Sequence, residues 1–212
     1  MTVDELVSKL RIARSHTRRG AEVRFGNNPE LMPGPEDTYQ SYGTAWANLS
    51  NTPFRLYKHW VHEGGISSPL IAHWPRGIER KGAIEHQAGH LIDLMATCID
   101  LSGAAYPKQH NGKEIKPMEG VTLRTAFEGK PLGRGKPIFF EHEANRAVRD
   151  GQWKLVARGI DGPWELYDID ADRSEMHNLA DQHPDRVKTM ADAWQKWAET
   201  NDVLPLDDRG HK

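Results

Sequence analysis

One short stretch of the sequence combines the residue types that bind anions. It reads Lys58-His59-Trp60-Val61-His62-Glu63-Gly64-Gly65, and an apolar run follows at Leu70–Trp74, which we expect to be a buried strand. Paired glycines permit a tight turn and the close approach of other groups. A lysine ammonium suits a cluster of anionic oxygens, and ligands of α/β folds bind where strands end. The segment predicts an anion site around Lys58, and a solvated loop on a structural glycine turn is the alternative.

A second polar group follows a predicted strand, in the segment Phe139-Phe140-Glu141-His142-Glu143-Ala144-Asn145-Arg146. Its polar side chains face either a cleft or, in a plain connecting loop, the solvent. Both interpretations are open from the residues alone.

Several common kinds of site have no motif in this sequence. There is no glycine-rich phosphate loop, no His-Glu-x-x-His, no pair of cysteines in a Cys-x-x-Cys motif and no Gly-x-Ser-x-Gly. The single cysteine, Cys98, excludes an intrachain disulfide. A formal net charge of −2 gives no reason to expect nucleic acid as a partner. We expect no membrane-spanning segment and no secretory signal, and the localisation stays undetermined.

Hydrophobic periodicity predicts helices in the first part of the chain. Thr2–Arg14 has a helical pattern, and a basic arm follows that predicts either solvated charge or polyanion binding. Apolar residues recur at helical spacing over His90–Leu101, and Gly103 follows as a stop signal. We expect Cys98 to be buried on the apolar face of that helix. A shorter helix is expected over Val121–Glu128.

From Ile138 onward the pattern changes to short strands. Asp-Gly pairs at 150–151 and 161–162 are strong hairpin signals, so we expect an antiparallel meander of about four strands. The expected strands are Ile138–His142, Arg146–Arg149, Trp153–Ala157 and Trp164–Ile169. A last helix is expected from about Pro184 to Thr200, and its apolar stripe would cover one face of the meander. The stripe consists of Val187, Met190, Ala191, Trp194 and Trp197.

A set of motifs in a recognisable order runs through these elements. They are Asn51–Arg55, Lys58–Ile66, Ala72–Pro75, His90–Thr97, Met118–Leu123, Phe140–Leu155, Trp164–Asp168 and Glu175–Leu179. Together they resemble the sulfatase family, arylsulfatase type, from near Phe25 to near Thr200. The resemblance implies an α/β fold, the C-terminal part of an alkaline-phosphatase-like sulfatase that ends in a small antiparallel β-meander with a covering helix. We expect three parts: an unmatched helix and basic arm (1–24), a partial α/β catalytic domain (25–135), and the meander with its helix (136–212).

The resemblance also implies a chemistry for the parent family. Sulfatases use a formylglycine nucleophile, made from a Cys or Ser in a Cys/Ser-x-Pro-x-Arg motif, and a calcium ion held by Asp and Asn residues. The lysine before the double glycine binds the sulfate oxygens, and Lys58 stands at that position. His62 and Glu63 are candidates beside it. Candidates for the mouth of the cleft are His142, Asn145 and Arg146.

The sequence also departs from the family pattern. Cys98 is followed by Ile99-Asp100-Leu101-Ser102, without the Pro and Arg of the nucleophile motif. The segment Ser15–Gly20 stands where a second Asp-Asn metal pair is expected. We therefore assign no catalytic nucleophile, no metal ligand and no cofactor to this chain, and calcium and formylglycine belong to the parent family. A frameshift, a mispredicted gene start or a truncated paralogue would each produce this pattern.

Three hypotheses about function follow, and they leave open whether this chain is an enzyme. In the first, the chain is the C-terminal part of an arylsulfatase that cannot hydrolyse sulfate esters alone, with a missing N-terminal sulfatase portion as its partner. In the second, it is a non-catalytic module that binds sulfate or a sulfated glycan through Lys58. In the third, the basic arm binds a polyanion and Lys58 is irrelevant.

Overall fold

The computed structural model describes residues 16–40 and 43–206 and divides the chain into two compact units, Met1–Thr52 and Pro53–Lys212. The predicted helix Thr2–Arg14 lies outside the described residues. The predicted boundaries after residues 24 and 135 stay predictions.

The first unit has little regular structure among its described residues. Strand β1 (Arg24–Phe25) pairs in parallel with β2 (Thr38–Tyr39), and helix α1 spans Thr44–Asn51. Arg24 pairs with Asp37 at 2.8 Å next to this ladder. No residue of α1 is buried.

The second unit begins with short elements joined by long loops. Helix α2 spans Glu63–Ile66, α3 spans Ile92–Ser102 and α4 spans Arg124–Phe127. A two-strand ladder of β3 (Gln109–His110) and β4 (Lys113–Glu114) lies between α3 and α4. The prediction of α3 is confirmed, because Gly103 ends it with a left-handed φ of 68°.

The predicted meander is confirmed as a four-stranded antiparallel sheet in the order β5-β6-β7-β8. Its strands are β5 (Ile138–His142), β6 (Asn145–Asp150), β7 (Trp153–Ala157) and β8 (Glu165–Asp168). The Asp150-Gly151 pair turns the chain between β6 and β7, and Gly151 has a φ of 56°. After the sheet come a 3₁₀ turn (Ala180–Gln182) and the last helix, α5 (Pro184–Thr200).

Alternation of side chains along the strands gives the sheet two buried faces. One face carries Val148, Leu155 and Leu166, which pack against Met190, Trp194 and Ala198 of α5. Trp194 also donates a hydrogen bond from Nε1 to the carbonyl oxygen of Phe140, at 3.0 Å. The opposite face packs against the segment 54–66 through a second apolar cluster, which consists of Val61, Ala147, Val156, Tyr167 and Ile169. The sheet is therefore the middle layer of the unit.

Two expectations about apolar residues before the sheet are wrong. Leu70–Trp74 forms no strand and is exposed, with Ile71 at 89% exposure. Cys98 is exposed as well, along with other apolar side chains of α3 or next to it: Leu91, Leu94, Met95 and Leu101.

The physical reason lies in which side of α3 is covered. The buried side chains of this helix are Asp93, Ala96 and Thr97. Asp93 accepts hydrogen bonds from the backbone N–H groups of His90 and Val121, and Thr97 accepts one from that of Leu123. The loop before α4 thus covers the polar side of the helix, and no described residue buries its apolar side.

No helix among the described residues is both long enough and apolar enough to span a membrane.

We predict that Trp194→Ala will strongly destabilise the second unit. The side chain is 1% exposed and lies between α5 and the sheet, so its removal leaves a cavity and costs about 3–5 kcal/mol. Urea unfolding followed by circular dichroism measures the change. The control is Lys196→Ala, at an exposed position of the same helix, whose free energy of unfolding should stay within about 0.5 kcal/mol of that of the original chain. Similar urea midpoints for the two variants would contradict this packing.

Candidate functional site

The segment that carries Lys58 folds back tightly on itself before it reaches α2. A Cβ atom added to Gly64 would lie 2.1 Å from the carbonyl oxygen of Leu56, and one added to Gly65 would lie 1.9 Å from that of Trp60. Gly64 N–H also donates to the carbonyl oxygen of Arg55 at 2.9 Å. The double glycine is therefore required because two stretches of backbone nearly touch.

A buried ion group attaches this segment to the sheet. The Lys154 ammonium lies 2.9 Å from a carboxylate oxygen of Glu63 and 2.8 Å from one of Glu175. The backbone N–H of Glu63 donates to the other oxygen of Glu175 at 2.8 Å. Burial opposes ionisation of Glu63, but the charge and hydrogen bond of Lys154 outweigh it and hold the pKa of that carboxyl below its ordinary value. Glu63, a candidate beside Lys58, thus holds the segment in place.

A second polar group connects the segment to β8. Arg55 lies 3.0 Å from Glu165, and the Tyr167 hydroxyl donates to Glu165 at 2.6 Å. The fully buried His62 places Nε2 at 3.4 Å from the same carboxylate. The hydrogen bond with His62 is the largest influence on Glu165. Together with Tyr167 and Arg55 it outweighs burial and lowers the pKa of Glu165 to about 2. The predicted site residue His62 is therefore placed inside the protein.

Lys58 itself is exposed at the surface of the same segment. Within residues 16–40 and 43–206 its ammonium has no hydrogen bond or ion pair, in contrast to Lys154. An anion would therefore not have to displace a protein carboxylate in order to reach it.

Next to Lys58 in the chain, His59 contacts the turn between β5 and β6. Its ring stacks on that of His142, with centroids 6.1 Å apart and planes at 25°. Its Nδ1 atom is hydrogen-bonded to a carboxylate oxygen of Glu143. His142 Nε2 lies 4.0 Å from the other oxygen of Glu143. The structure thus brings the predicted residue His142 to the Lys58 segment.

Asn145, another predicted site residue, is fully buried. It positions the backbone of the Lys58 segment and that of the turn between β5 and β6. Its side-chain N–H groups donate to the carbonyl oxygens of His59 at 2.8 Å and of His142 at 2.9 Å. Its own side-chain oxygen accepts a hydrogen bond from Gly159 N–H at 3.1 Å. Asn145 therefore supports the surface group and has no free donor for a ligand.

Arg146 points to the other face of the sheet. Its guanidinium lies over the Trp164 ring, 4.7 Å from the centroid, and 5.8 Å from that of Trp194. It also donates to the carbonyl oxygen of Gly162 at 3.1 Å. Alternation along β6 separates it from its neighbour Asn145, so the structure does not bring it to the group around Lys58.

His59 and Glu143 belong to this surface group although the sequence did not single them out as ligand residues. Both stand inside the two polar segments that the sequence did indicate. The contact between them joins residues 84 positions apart, and nothing in the spacing of a single sequence reveals such a pairing.

The group of metal-ligand side chains found among the described residues differs in composition from the calcium site that the family resemblance implies. Calcium takes roughly six to eight oxygen ligands, whereas the one cluster of three metal-ligand residues found in the described part of the chain has two imidazoles. The buried carboxylate of Asp93 forms an ion pair with Arg134 and accepts hydrogen bonds from two backbone N–H groups.

Lys154→Met is predicted to destabilise the chain by about 3–5 kcal/mol, because it leaves two carboxylates buried without a counter-charge. Urea unfolding at neutral pH measures this loss. The matched control is Lys81→Met, at an exposed position. Unfolding of the two variants at the same urea concentration would show that the ion group has no structural role.

Acid should remove the contribution of Glu165 over a defined pH range. Its folded-state pKa of about 2 lies below the ordinary value of 4.5, so the stabilisation is complete above about pH 5 and is lost as the pH falls toward 2. Its size at neutral pH is on the order of 3 kcal/mol. We predict that Glu165→Gln will lower the melting temperature at neutral pH and flatten its decline in acid. The exposed Glu119→Gln should leave the profile unchanged, and an equally steep decline in Glu165→Gln would refute the assignment.

Comparison with known proteins agrees with this architecture. The sulfatase family described as N-sulphoglucosamine sulphohydrolase, C-terminal, matches residues 54–201. An uncharacterised sulfatase of Schizosaccharomyces pombe is 31% identical over an alignment of 193 residues, and the alignment covers 88% of this chain and 35% of that protein. N-acetylgalactosamine-6-sulfatase of Canis lupus familiaris is 36% identical over 119 residues, 56% of this chain and 21% of the relative. Arylsulfatase of Klebsiella aerogenes is 34% identical over 112 residues, and the match covers 52% of this chain and 24% of the relative.

Among solved structures, the crystal structure of Ps i-CgsB matches with a TM-score of 0.60 and 23% sequence identity. The match covers 75% of this chain and 35% of the Ps i-CgsB chain. This likeness concerns the fold. The chain spans about a third or less of the length of these relatives, and the matching family region is a C-terminal one. The chain therefore belongs to the sulfatase family and has the fold of its C-terminal portion.

Proposed function

We propose that this chain supplies the sulfate-binding lysine of a sulfatase and does not hydrolyse sulfate esters alone. The observation that carries the proposal is the state of Lys58. It is exposed and unpaired within the described residues, on a segment that buried ion pairs hold against the sheet. A lysine ammonium offers three hydrogen-bond donors to sulfate oxygens, and a fixed backbone limits the entropy lost on binding.

The proposed inability to turn over sulfate esters rests on the sequence around the single cysteine. Cys98 lies within α3 and is followed by residues that lack the Pro and Arg of the formylglycine motif. In this proposal Lys58 binds a sulfate group, and the nucleophile and the calcium ion that displace it are supplied by another sulfatase portion.

The partner in this proposal is an N-terminal sulfatase portion. The shared region is 21–35% of the length of the relatives, so most of each relative lies outside it. Apolar side chains that a soluble domain normally covers are exposed here, with Ile71 at 89% and Leu91 at 77%. Packing against an N-terminal portion would bury them and place Lys58 in a complete site.

The proposed substrate class is a sulfate ester of a carbohydrate. One relative is named an N-acetylgalactosamine-6-sulfatase, and Ps i-CgsB has been solved in complex with k-i-k-neocarrahexaose. These names describe the relatives, and they support a sulfated glycan as the ligand class for Lys58.

The first test is hydrolysis of a chromogenic aryl sulfate by the purified chain in the presence of calcium, next to Lys58→Ala. We expect no turnover in either protein. Turnover that depends on Lys58 would contradict the proposal, because it would require a nucleophile and a metal site in this chain.

Binding of a sulfated oligosaccharide, followed by NMR of the protein, tests the role of Lys58 directly. We expect weak, salt-sensitive binding that Lys58→Ala weakens by at least about tenfold, equivalent to ~1.4 kcal/mol. Lys81→Ala is the control, since that lysine is exposed but lies outside the segment. Equal affinity in both variants would exclude Lys58 as the sulfate-binding group.

A further inference from the structure

The surface group of His59, His142 and Glu143 has the composition of a metal site. Each residue offers one ligand atom, and these atoms all lie within 4.8 Å of one another. We propose that the three residues bind a divalent transition metal ion of the zinc type. The proposal is independent of the sulfate-binding role proposed for Lys58.

The donor set selects the class of ion. Two imidazoles and one carboxylate suit zinc and its neighbours in the transition series, whereas calcium and magnesium prefer oxygen ligands. Two His and one Glu also form a known zinc donor set that leaves one position for water. The site is thus chemically different from the oxygen-ligated calcium centre of the parent family.

The distances are close to those that zinc requires. Zinc bonds of about 2.0–2.2 Å in a tetrahedron separate neighbouring ligand atoms by roughly 3.3–3.6 Å. His59 Nδ1 and Glu143 are already in hydrogen-bond contact, and His142 Nε2 is 4.0 Å from the other Glu143 oxygen. Both imidazole side chains are about half exposed, at 46% and 52%, so small side-chain rotations can complete the geometry without repacking the core.

The backbone under these residues is already held in place. His59, Glu143 and Ala144 have left-handed φ values of 91°, 51° and 66°, which cost free energy for residues with a side chain. A two-residue hairpin of type I′ requires positive φ at both of its turn positions, which accounts for Glu143 and Ala144 but not for His59. The buried Asn145 holds the His59 and His142 carbonyl groups together. Folding has therefore already brought the three ligand residues of the two segments together, so metal binding loses little further conformational entropy.

Metal binding has a simple proton balance at this site. The hydrogen bond between His59 and Glu143 contains one proton. When a metal ion bonds to Nδ1 of a neutral imidazole that donates this hydrogen bond to an ionised carboxylate, the hydrogen moves from Nδ1 to Nε2, so no net proton is released. Two metal–ligand bonds then form where one hydrogen bond breaks, and the His142 nitrogen supplies a third bond. No oxidation or reduction is involved.

The experiment is a calorimetric titration of the full chain with Zn²⁺, repeated with Co²⁺ while visible absorption is recorded. We expect one ion per chain, cobalt absorption typical of a nitrogen-ligated site, and no competition from Ca²⁺. His142→Ala and Glu143→Gln should each weaken Zn²⁺ binding by at least about tenfold, because loss of a ligand exceeds the usual effect of losing a supporting residue.

His177→Ala is the matched control, because His177 is also exposed and lies next to a carboxylate, that of Asp172 at 3.5 Å. Its affinity for Zn²⁺ should equal that of the original chain. Circular dichroism checks that each variant is folded. If His142→Ala does not fold, the Zn²⁺ affinity of Glu143→Gln tests the proposal. The proposal is overturned if the chain binds no stoichiometric Zn²⁺, or if the folded variants bind it as tightly as the control.

Discussion

The second unit depends on one buried cation. Lys154 lies on the middle of the sheet, fully removed from solvent, and its ammonium contacts Glu63 and Glu175. Charges in such a position are tolerated only when every partner is present and well placed. Since Glu63 belongs to the segment 54–66 and Glu175 follows β8, this interaction connects three separate stretches of chain. The location of Lys58 and His59 at the surface is a consequence of it.

The sheet is covered very differently on its two faces. Toward α5 the contact is aromatic and apolar, with stacking of Phe139 on Trp197 at 5.3 Å. Toward the segment 54–66 the contact combines a small apolar cluster with the charged groups around Lys154 and Glu165. The aromatic face stabilises the unit through burial, whereas the charged face determines where the segment lies, because buried charges admit few alternative arrangements. This division explains why candidate ligand residues occur on the charged face.

The sequence predicted the later half of the fold well and the earlier half poorly. Helix α5 and the four strands were found from local periodicity and Asp-Gly turns, with errors of about one residue at strand ends. Those signals work because α5 and the sheet bury each other, so the apolar pattern matches the observed core. The same reasoning failed for Leu70–Trp74 and Cys98, where apolar residues are exposed because no described part of this chain covers them.

By itself, the sequence determined the family and the meander with its helix, and it predicted an anion site around Lys58, since these inferences depend on local pattern and motif order. Only the tertiary structure decided the roles of the other candidates. It buried His62 and Asn145, turned Arg146 toward Trp164, and brought His59 to His142 and Glu143. The roles of His59, His62 and Asn145 depend on contacts between residues about 80 or more positions apart, which the packing of the segment 54–66 on the sheet determines. Arg146 is placed by contacts on the opposite face of the sheet.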